Sequence, residues 1–270
     1  MPFGKTIELF LVNGTPDSLV TAELSNWNGK AIKIPRNEVQ ACSRDDIKGA
    51  GVYFLFCQEE DGTDSVYIGE AENVQDRLIQ HIRSREEYYW NTAVIFVGRD
   101  LNKAHIRYLE NRLVVITRDC GRIRVLTRNT YQNTRLSESQ IAAMEEFIEN
   151  IRILIDTLGY RILMPAQTAN DTTTILHCKE AKGFVSASGF VVQRGSKVSD
   201  HTAPSFEPQA HSFFKLRERL IEDGIIDSQY CFSNDYEFSS PSAAAAVVLG
   251  RSANGLTAWR TEDGKKLKEL

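Results

Sequence analysis

Two short apolar runs separated by a polar segment stand out along the chain. Residues 51–57 and 65–71 are rich in aromatic and β-branched side chains, and an Asp-Gly pair lies between them. This pattern predicts a β-hairpin, because Asp-Gly favours the tight turn that joins two antiparallel strands. A third run at 92–98 predicts a further strand, so we expect a small antiparallel sheet of three strands.

Apolar residues at helical spacing follow the second and third of these strands. Val74 and Leu78 begin such a stripe directly after Asn73, which predicts a helix with that asparagine as its N-cap. A second amphipathic helix is predicted over residues 101–118. The order β-β-α-β-α therefore predicts a small α+β domain over residues 49–135.

The segments on either side of this domain predict further units. Residues 1–48 predict a strand, a short helix and further strand, which together form a β-rich amino-terminal unit. Ser137 and Gln140 form a capping box at the start of an amphipathic helix within residues 136–165, the connector. Most such helices bury their apolar stripe within their own chain, so we expect packing on the preceding domain rather than on a partner helix.

Residues 166–270 predict a carboxy-terminal accessory domain of mixed structure. Ser240 followed by Pro241 predicts the start of a helix, Gly250 predicts its end, and a strand carrying Trp259 is expected after it. The predicted fold class is α+β throughout: a small three-stranded antiparallel sheet flanked by helices, with a β-rich unit before it and this α+β domain after it.

Composition does not change the predicted fold, but it indicates the cellular compartment. The 270 residues are 42% hydrophobic with a net charge of −4, as in ordinary globular proteins. No apolar run is long enough to span a bilayer, and the first residues lack the features of a signal peptide. The five cysteines show no metal-binding spacing. We therefore expect a cytoplasmic protein without a membrane partner.

Charge is unevenly distributed, and one stretch is strongly basic. Between residues 99 and 135, nine arginine and lysine residues stand against three carboxylates. A local excess of positive charge attracts the phosphate backbone of a nucleic acid, so this stretch favours such a partner.

Five side chains in the predicted domain could perform chemistry together. Tyr53 and Tyr67 flank the hairpin turn at similar distances, so we expect them opposite each other on one face. Arg77 and His81 lie four residues apart on one side of the next helix, and Glu110 lies in the second helix. Phosphodiester hydrolysis needs such parts: a group that activates water, a carboxylate for a divalent cation, and a cation that stabilises developing charge.

Each of these residues also has a purely structural explanation. Strand tyrosines are usually packing residues. Arg77 could pair with Asp76 or Glu72 on the helix surface, and Glu110 could pair with Arg107. The spacing of the set, rather than any single member, favours an active site.

The same residues carry a resemblance to a known family. Gly-Val-Tyr at 51–53, Tyr-Ile-Gly at 67–69, an arginine eight residues later and a glutamate in a Leu-Glu-Asn-Arg-Leu helix are similar to the motifs of GIY-YIG nucleases. The resemblance covers about residues 51–135, and valine replaces isoleucine in the first motif. It implies a three-stranded antiparallel sheet flanked by helices, and endonuclease hydrolysis of DNA phosphodiester bonds.

The resemblance implies a role for each residue that matches a motif. Tyr53 would be the general base that activates water, and Tyr67 would orient the water or the phosphate. Arg77 would stabilise charge in the transition state, and His81 would help to polarise the nucleophile. Glu110 would bind Mg²⁺ or Mn²⁺.

Two details of this implied site need comment. The family often has an asparagine beyond the glutamate helix; Asn129 is the nearest match, and Asn133 competes with it. A free phenol titrates near about 10, so we expect Arg77 and a bound cation to lower the pKa of Tyr53.

The resemblance implies DNA as the partner, and cutting of both strands by one small site would favour a homodimer. A nuclease that acts on RNA, and a non-catalytic nucleic-acid-binding or adaptor protein on the same scaffold, stay open as alternatives.

The end of the chain carries a second resemblance. Residues 236–270 are similar to the DUF4357 domain and to domains attached to restriction and modification enzymes, which implies DNA binding. The helix that opens at Ser240 would offer backbone N–H groups to phosphate, and a packing or oligomerisation domain is the alternative. The cations that could add contacts are Arg251, Arg260, Lys265 and Lys266.

Overall fold

The computed structural model describes residues 4–58, 64–84, 88–130, 134–165, 167–170 and 173–270. These residues form two compact units, one that ends at Met164 and one that begins at Pro165. Each unit has a sheet and a hydrophobic core of its own. The chain is therefore of mixed α+β class, as predicted.

The first unit is built on one seven-stranded sheet. Its strands are β1 (Ile7–Leu11), β2 (Val20–Leu24), β3 (Gly29–Pro35), β4 (Gly51–Gln58), β5 (Asp64–Ala71), β6 (Trp90–Gly98) and β7 (Arg124–Val125). Their spatial order is β1-β2-β3-β6-β4-β5-β7. Neighbours are antiparallel except β5 and β7, which are parallel, so the sheet is mixed.

The prediction of a three-stranded sheet was wrong in its extent. The three predicted strands lie side by side as β6-β4-β5, but β3 pairs with β6 from Gly29↔Gly98 to Pro35↔Thr92 and continues the sheet to β2 and β1. This pairing gives partners to the backbone groups of β6, which would otherwise form an open edge. The short helix expected near the amino terminus is replaced by turns at residues 12–19.

Helices cover both faces of this sheet. They are α1 (Val74–Arg83), α2 (Lys103–Cys120) and α3 (Glu138–Thr157), and two short 3-10 helices lie at Arg36–Glu38 and Asp46–Lys48. Alternate residues of β4 face opposite cores: Tyr53 and Leu55 pack with α1, whereas Phe54 and Phe56 pack with α2 and α3. The active-site candidates on β4 and β5 can therefore be assigned to faces by parity.

Both predicted helix caps in this unit are confirmed. The Asn73 side chain accepts the N–H of Asp76 at the start of α1, and Ser137 and Gln140 form the capping box of α3. The apolar stripe of α3 packs within the unit, and the Phe147 and Trp27 rings meet edge to face at 4.6 Å. This packing confirms that α3 buries its stripe in its own chain.

The second unit has a smaller sheet. Its strands are β8 (Leu176–Cys178), β9 (Ala181–Val185), β10 (Phe190–Val192) and β11 (Tyr236–Phe238), in the order β11-β10-β9-β8 with antiparallel neighbours. Its helices are α4 (Phe206–Gln209), α5 (His211–Glu222), α6 (Pro241–Leu249), α7 (Gly255–Ala258) and a 3-10 helix at Leu267–Glu269.

The caps of α6 are confirmed, but the segment after it differs from prediction. The Ser240 hydroxyl accepts the N–H of Ala243, and Gly250 ends the helix with a left-handed φ of 62°. The strand expected at Trp259 is absent: the Asn254 side chain accepts the N–H of Leu256 and starts the short helix α7, and after it Arg260 forms only isolated β-bridges with His177 and Lys266. No helix in the described part of the chain has both the length and the apolar content that a bilayer crossing requires.

After β7, the Thr127 side chain hydrogen-bonds to β5 and keeps the chain beside that strand. The Thr127 hydroxyl accepts the N–H of Ile68 at 2.8 Å and donates to the Ile68 carbonyl oxygen at 2.7 Å. Thr127 is 2% exposed, so solvent does not compete for these bonds. One side chain thus satisfies both backbone groups of Ile68, directly before Gly69 of the predicted motif.

We expect Thr127→Val to lower the free energy of unfolding by about 1–3 kcal/mol, because both buried backbone groups lose their partner. Thr117→Val is the matched control: its buried hydroxyl donates to the Leu113 carbonyl oxygen within α2, where the helix bond remains, so the loss should be clearly smaller. Urea unfolding followed by circular dichroism compares the two. Equal losses would show that Thr127 does not hold the end of β5.

Candidate active site

The two motif tyrosines lie on one face of the sheet, but they are not opposite each other. Tyr53 pairs with Gly69, and Tyr67 pairs with Leu55, so the register differs by two residues from the expected one. The tyrosines are diagonal neighbours with ring centroids 6.3 Å apart. The turn predicted at the Asp-Gly pair lies outside the described residues.

Gly69 makes room for the Tyr53 phenol. A Cβ at position 69 would lie 2.5 Å from the Tyr53 hydroxyl oxygen and 2.6 Å from the ring carbon that bears it. Tyr53 is fully buried, so its ring cannot move away into solvent. The glycine of the second motif is therefore required by the tyrosine of the first.

His81 gives the buried Tyr53 hydroxyl a hydrogen-bond partner. The Tyr53 oxygen lies 2.9 Å from His81 Nε2, and His81 is 3% exposed. Tyr67 packs against His81 with ring centroids 5.1 Å apart, and Tyr88 stacks on Tyr67 at 5.7 Å. Sequence reasoning missed Tyr88, although the aromatic residues directly before the third strand were a visible signal.

Arg77 lies at the rim of this aromatic cluster. Its Nη1 donates to Gln80 Oε1 at 3.0 Å, and its side chain is exposed. The surface partners that a structural role would give it are engaged elsewhere: Glu72 pairs with Lys103, and Asp76 accepts the side-chain amide of Asn73.

Burial and charge act in opposite directions on the pKa of Tyr53. Burial raises the pKa of the Tyr53 phenol far above its usual value, and Tyr67 adds to the increase. Arg77 lowers the pKa of Tyr53, as expected from the sequence, but burial outweighs it. Burial lowers the pKa of Arg77, and the two phenols more than offset this, so its pKa is raised. At neutral pH the site holds a neutral phenol beside a permanent cation.

Glu110 is a nearly buried carboxylate without a partner in the described part of the chain. It is 7% exposed, and its side chain forms no hydrogen bond or ion pair with the described residues. Arg107, the structural partner considered for it, lies 3.6 Å from Glu70 instead. Burial raises the pKa of Glu110 to about 7, the charge of Glu70 contributes to the increase, and the charges of Arg107 and Arg77 oppose it.

The donor set at Glu110 fits a hard divalent cation. Mg²⁺ and Mn²⁺ prefer oxygen ligands, and Mg²⁺ is usually held by one or two protein carboxylates while water and phosphate complete its shell. A buried carboxylate whose oxygens have no donor among the described residues suits this role. Within the described residues there is no group of three or more His, Cys, Asp and Glu side chains that could form a complete protein cage.

The structure does not bring Asn129 into contact with the other candidates. Its side chain is exposed two residues beyond Thr127 and makes no hydrogen bond with the described residues. Its competitor Asn133 lies outside the described residues. Tyr53, Tyr67 and His81, by contrast, form one contact cluster.

The basic stretch is less positive in space than in sequence, because part of its charge is neutralised. Several of its cations are held by carboxylates or a carbonyl oxygen: Lys103 by Glu72, Arg107 by Glu70, Arg112 by Glu145, and Arg118 by the Thr127 carbonyl.

In the second unit, the partly buried residues around Ser240 form a joint between α6 and α7. The Trp259 indole N–H donates to the Pro241 carbonyl oxygen at 3.0 Å, and the Ser242 hydroxyl accepts the N–H of Gly255 at 3.0 Å. A Cβ at Gly255 would overlap the Pro241 carbonyl group. These contacts fasten the start of α6 to α7 and to the segment that follows it.

This joint lies within residues 236–270, whose sequence resembles the DUF4357 domain. Residues 174–270 match the family model of a domain of unknown function, DUF4357. The second unit contains a DUF4357 domain. No curated protein and no solved structure matches the chain. The family comparison gives no GIY-YIG match, so that resemblance rests on the motif residues of the first unit alone.

The joint leaves little capacity for phosphate at the start of α6. Pro241 has no N–H, and the N–H of Ala243 already donates to the Ser240 hydroxyl. The contacts of the DUF4357 signature therefore explain its residues through packing, without a ligand.

We expect Gly69→Ala to displace the Tyr53 phenol, break its hydrogen bond to His81 and lower the free energy of unfolding by about 1–3 kcal/mol. The ring resonances of His81 in NMR spectra should shift. Gly49→Ala is the control, because the nearest atom to its Cβ is the Asp46 carbonyl oxygen at 3.9 Å. Unchanged His81 resonances in Gly69→Ala would contradict the close approach.

Glu110→Gln should stabilise the cation-free protein in a pH-dependent way. The pKa of Glu110 is raised from 4.5 to about 7. Stability is therefore present at acidic pH and lost as pH rises through 7, when the folded state must hold a buried charge. In EDTA we expect a gain in unfolding free energy of about 2–3 kcal/mol at pH 8 and below about 1 kcal/mol at pH 5.

Urea unfolding at both pH values measures this gain. Glu146→Gln, which changes an exposed carboxylate on α3, should show no such pH dependence. A Glu110→Gln variant that is less stable than wild type at pH 8 would mean that the carboxylate is favourably paired.

Proposed function

We propose that this protein is a Mg²⁺- or Mn²⁺-dependent nuclease that hydrolyses phosphodiester bonds of DNA at the site formed by Tyr53, His81, Arg77 and Glu110. The observation that carries the proposal is the nearly buried Glu110 carboxylate, which has no hydrogen-bond or ion-pair partner in the part of the chain that the structure describes and whose charge interacts with Arg77 and with Tyr53 of the hydrogen-bonded Tyr53–His81 pair. A packing cluster needs neither a buried free carboxylate nor a cation beside two phenols.

The protonated state of Tyr53 defines how it can act. Because burial keeps the phenol neutral, Tyr53 cannot take a proton from water without losing its own. His81 Nε2, at 2.9 Å, is placed to receive it. We propose a relay: water gives a proton to the Tyr53 oxygen as the phenol proton passes to His81, and the resulting hydroxide attacks phosphorus.

The relay conserves atoms and charge. One O–H bond of water breaks, one forms on Tyr53, the original phenol O–H breaks, and an N–H bond forms on His81. Phosphorus gains a bond to the attacking oxygen and loses its bond to the leaving oxygen, which takes a proton from solvent. His81 is thus the terminal base, and Tyr53 transmits the proton.

Arg77 and Tyr67 complete the protein's contribution. The raised pKa of Arg77 keeps its guanidinium charged, so it can stabilise the negative charge that develops on the phosphate oxygens. Tyr67 packs on His81 and is itself covered by Tyr88, which fixes the imidazole ring. Tyr67 therefore acts as a positioning residue in this proposal.

Glu110 would hold the divalent cation, which when bound supplies positive charge to the phosphate oxygens. The basic stretch of the first unit supports a polyanionic substrate. DNA binding by the DUF4357 domain, through exposed cations such as Arg251, Arg260 and Lys265 rather than through the start of α6, and a homodimer that cuts both strands belong to the proposal as accessory features.

The test is a nicking assay on supercoiled plasmid with Mg²⁺ or Mn²⁺. Wild type should nick or linearise the plasmid, and EDTA should abolish cleavage. Tyr53→Phe and Glu110→Gln should lower the rate by about a hundredfold or more, because each removes a group that acts on the reacting atoms. Tyr89→Phe, at a tyrosine 64% exposed, is the matched control and should keep full activity.

The same variants on RNA and in a gel-shift assay separate the alternatives. Cleavage of RNA but not of DNA would make the protein a ribonuclease. Nucleic-acid binding without cleavage of either substrate would replace the nuclease by a binding or adaptor protein. A fully active Tyr53→Phe variant would remove the proton relay.

A further inference from the structure

Glu70 is a carboxylate on β5, directly after Gly69 of the candidate site. It follows Gly69 on β5, but its side chain is on the opposite face from Tyr67 and Gly69 because strand residues alternate. Val66 and Ile68, which share its parity, pack in the core that contains α2. Glu70 therefore faces the helix that carries Glu110.

The contact with Arg107 fixes this placement. Arg107 Nε lies 3.6 Å from Glu70 Oε1, and Arg107 and Glu110 are three residues apart on α2, on the same side of the helix. The side chain of Glu70 is 13% exposed, so it is largely withdrawn from water. The Glu70 carboxylate therefore lies beside the turn of α2 that carries Arg107 and Glu110.

Glu110 has no hydrogen-bond or ion-pair partner among the described residues, and Glu70 pairs with Arg107 at 3.6 Å. Two carboxylates withdrawn from water near one turn of α2 repel each other, and a divalent cation bound between them would relieve this repulsion.

We infer that Glu70 is a second carboxylate ligand, beside Glu110, of the divalent cation that the proposed function requires. This inference rests on the proposed function but adds a residue that the family resemblance does not assign. Two carboxylates from β5 and α2 match the one or two that Mg²⁺ accepts while it keeps positions for water and phosphate. Glu110, nearly buried and partnerless, supplies the ligand position that the pair needs.

A structural role for Glu70 makes a different prediction. If Glu70 only holds Arg107, then removing Arg107 should affect cation binding as much as removing Glu70. If Glu70 is a ligand, Arg107→Gln removes a competing positive charge and should leave cation affinity unchanged or increase it.

The experiment measures Mn²⁺ binding to the full chain without nucleic acid, from the electron paramagnetic resonance signal of free Mn²⁺. Relative to wild type, Glu70→Gln should weaken binding about tenfold or more, and Glu110→Gln should weaken it at least as much. Arg107→Gln should bind as well or better. Glu72→Gln is the matched control, because this neighbouring carboxylate is 60% exposed and paired with Lys103, and it should bind like wild type.

Each outcome is decisive when thermal unfolding shows the variants to be folded. Loss in Glu70→Gln and Glu110→Gln, with binding kept in the other two variants, supports the inference. Binding that depends on Glu110 but not on Glu70, or equal losses in Glu70→Gln and Arg107→Gln, overturns it and leaves the proposed function intact. Wild type that binds no Mn²⁺ at millimolar concentration also overturns it, and the plasmid assay then judges the nuclease separately.

Discussion

The close approach of the Tyr53 phenol to the backbone of Gly69 is the constraint on which the candidate site depends. A buried hydroxyl needs a partner, and a phenol this close to a strand leaves no space for a side chain at position 69. The partner is His81, so α1 must lie across the same face of the sheet, in the position that brings His81 to Tyr53. Asn73 fixes where α1 begins, because it caps the helix directly after β5.

Residues at the end of β5 contribute side chains to both faces of the sheet. The aromatic cluster lies on the α1 face, and the carboxylates lie on the α2 face. On the outer side of β5 the described ladder is short: β7 pairs with Ser65 and Val66, and the Thr127 hydroxyl extends this to Ile68. The last residues of β5, from Gly69 to Ala71, therefore lie beyond the part of the strand that this described ladder covers.

Local signals were sufficient to predict α1, α2, α3 and α6, because side chains such as Asn73 and Ser137 accept amide N–H groups three residues away. They wrongly predicted a short helix near the amino terminus and missed α7. They were not sufficient for the size of the sheet, which depends on the pairing of β3 with β6 across about sixty residues. The predicted hairpin register was wrong by two residues because flanking distances alone do not determine the turn.

The spacing predicted a group of candidate residues, but it did not predict their contacts or protonation states. The motif spacing identified Tyr53 and His81, yet their hydrogen bond and the raised pKa of the phenol arise from burial by distant segments. The sequence alone did not single out Glu70, because its neighbours depend on which face of β5 packs against α2. The alternation of side chains along the strand identifies that face only when the positions of the helices are known.

The joint in the DUF4357 domain restricts which of its residues can be replaced without loss of structure. Ser242, Gly255 and Trp259 are engaged in holding α6, α7 and the following segment together, so replacing any of them disturbs assembly before it disturbs a surface. Exposed side chains such as Arg251 are under no such restriction. In this domain the exposed side chains can therefore change without disturbing the contacts that hold α6 and α7 together.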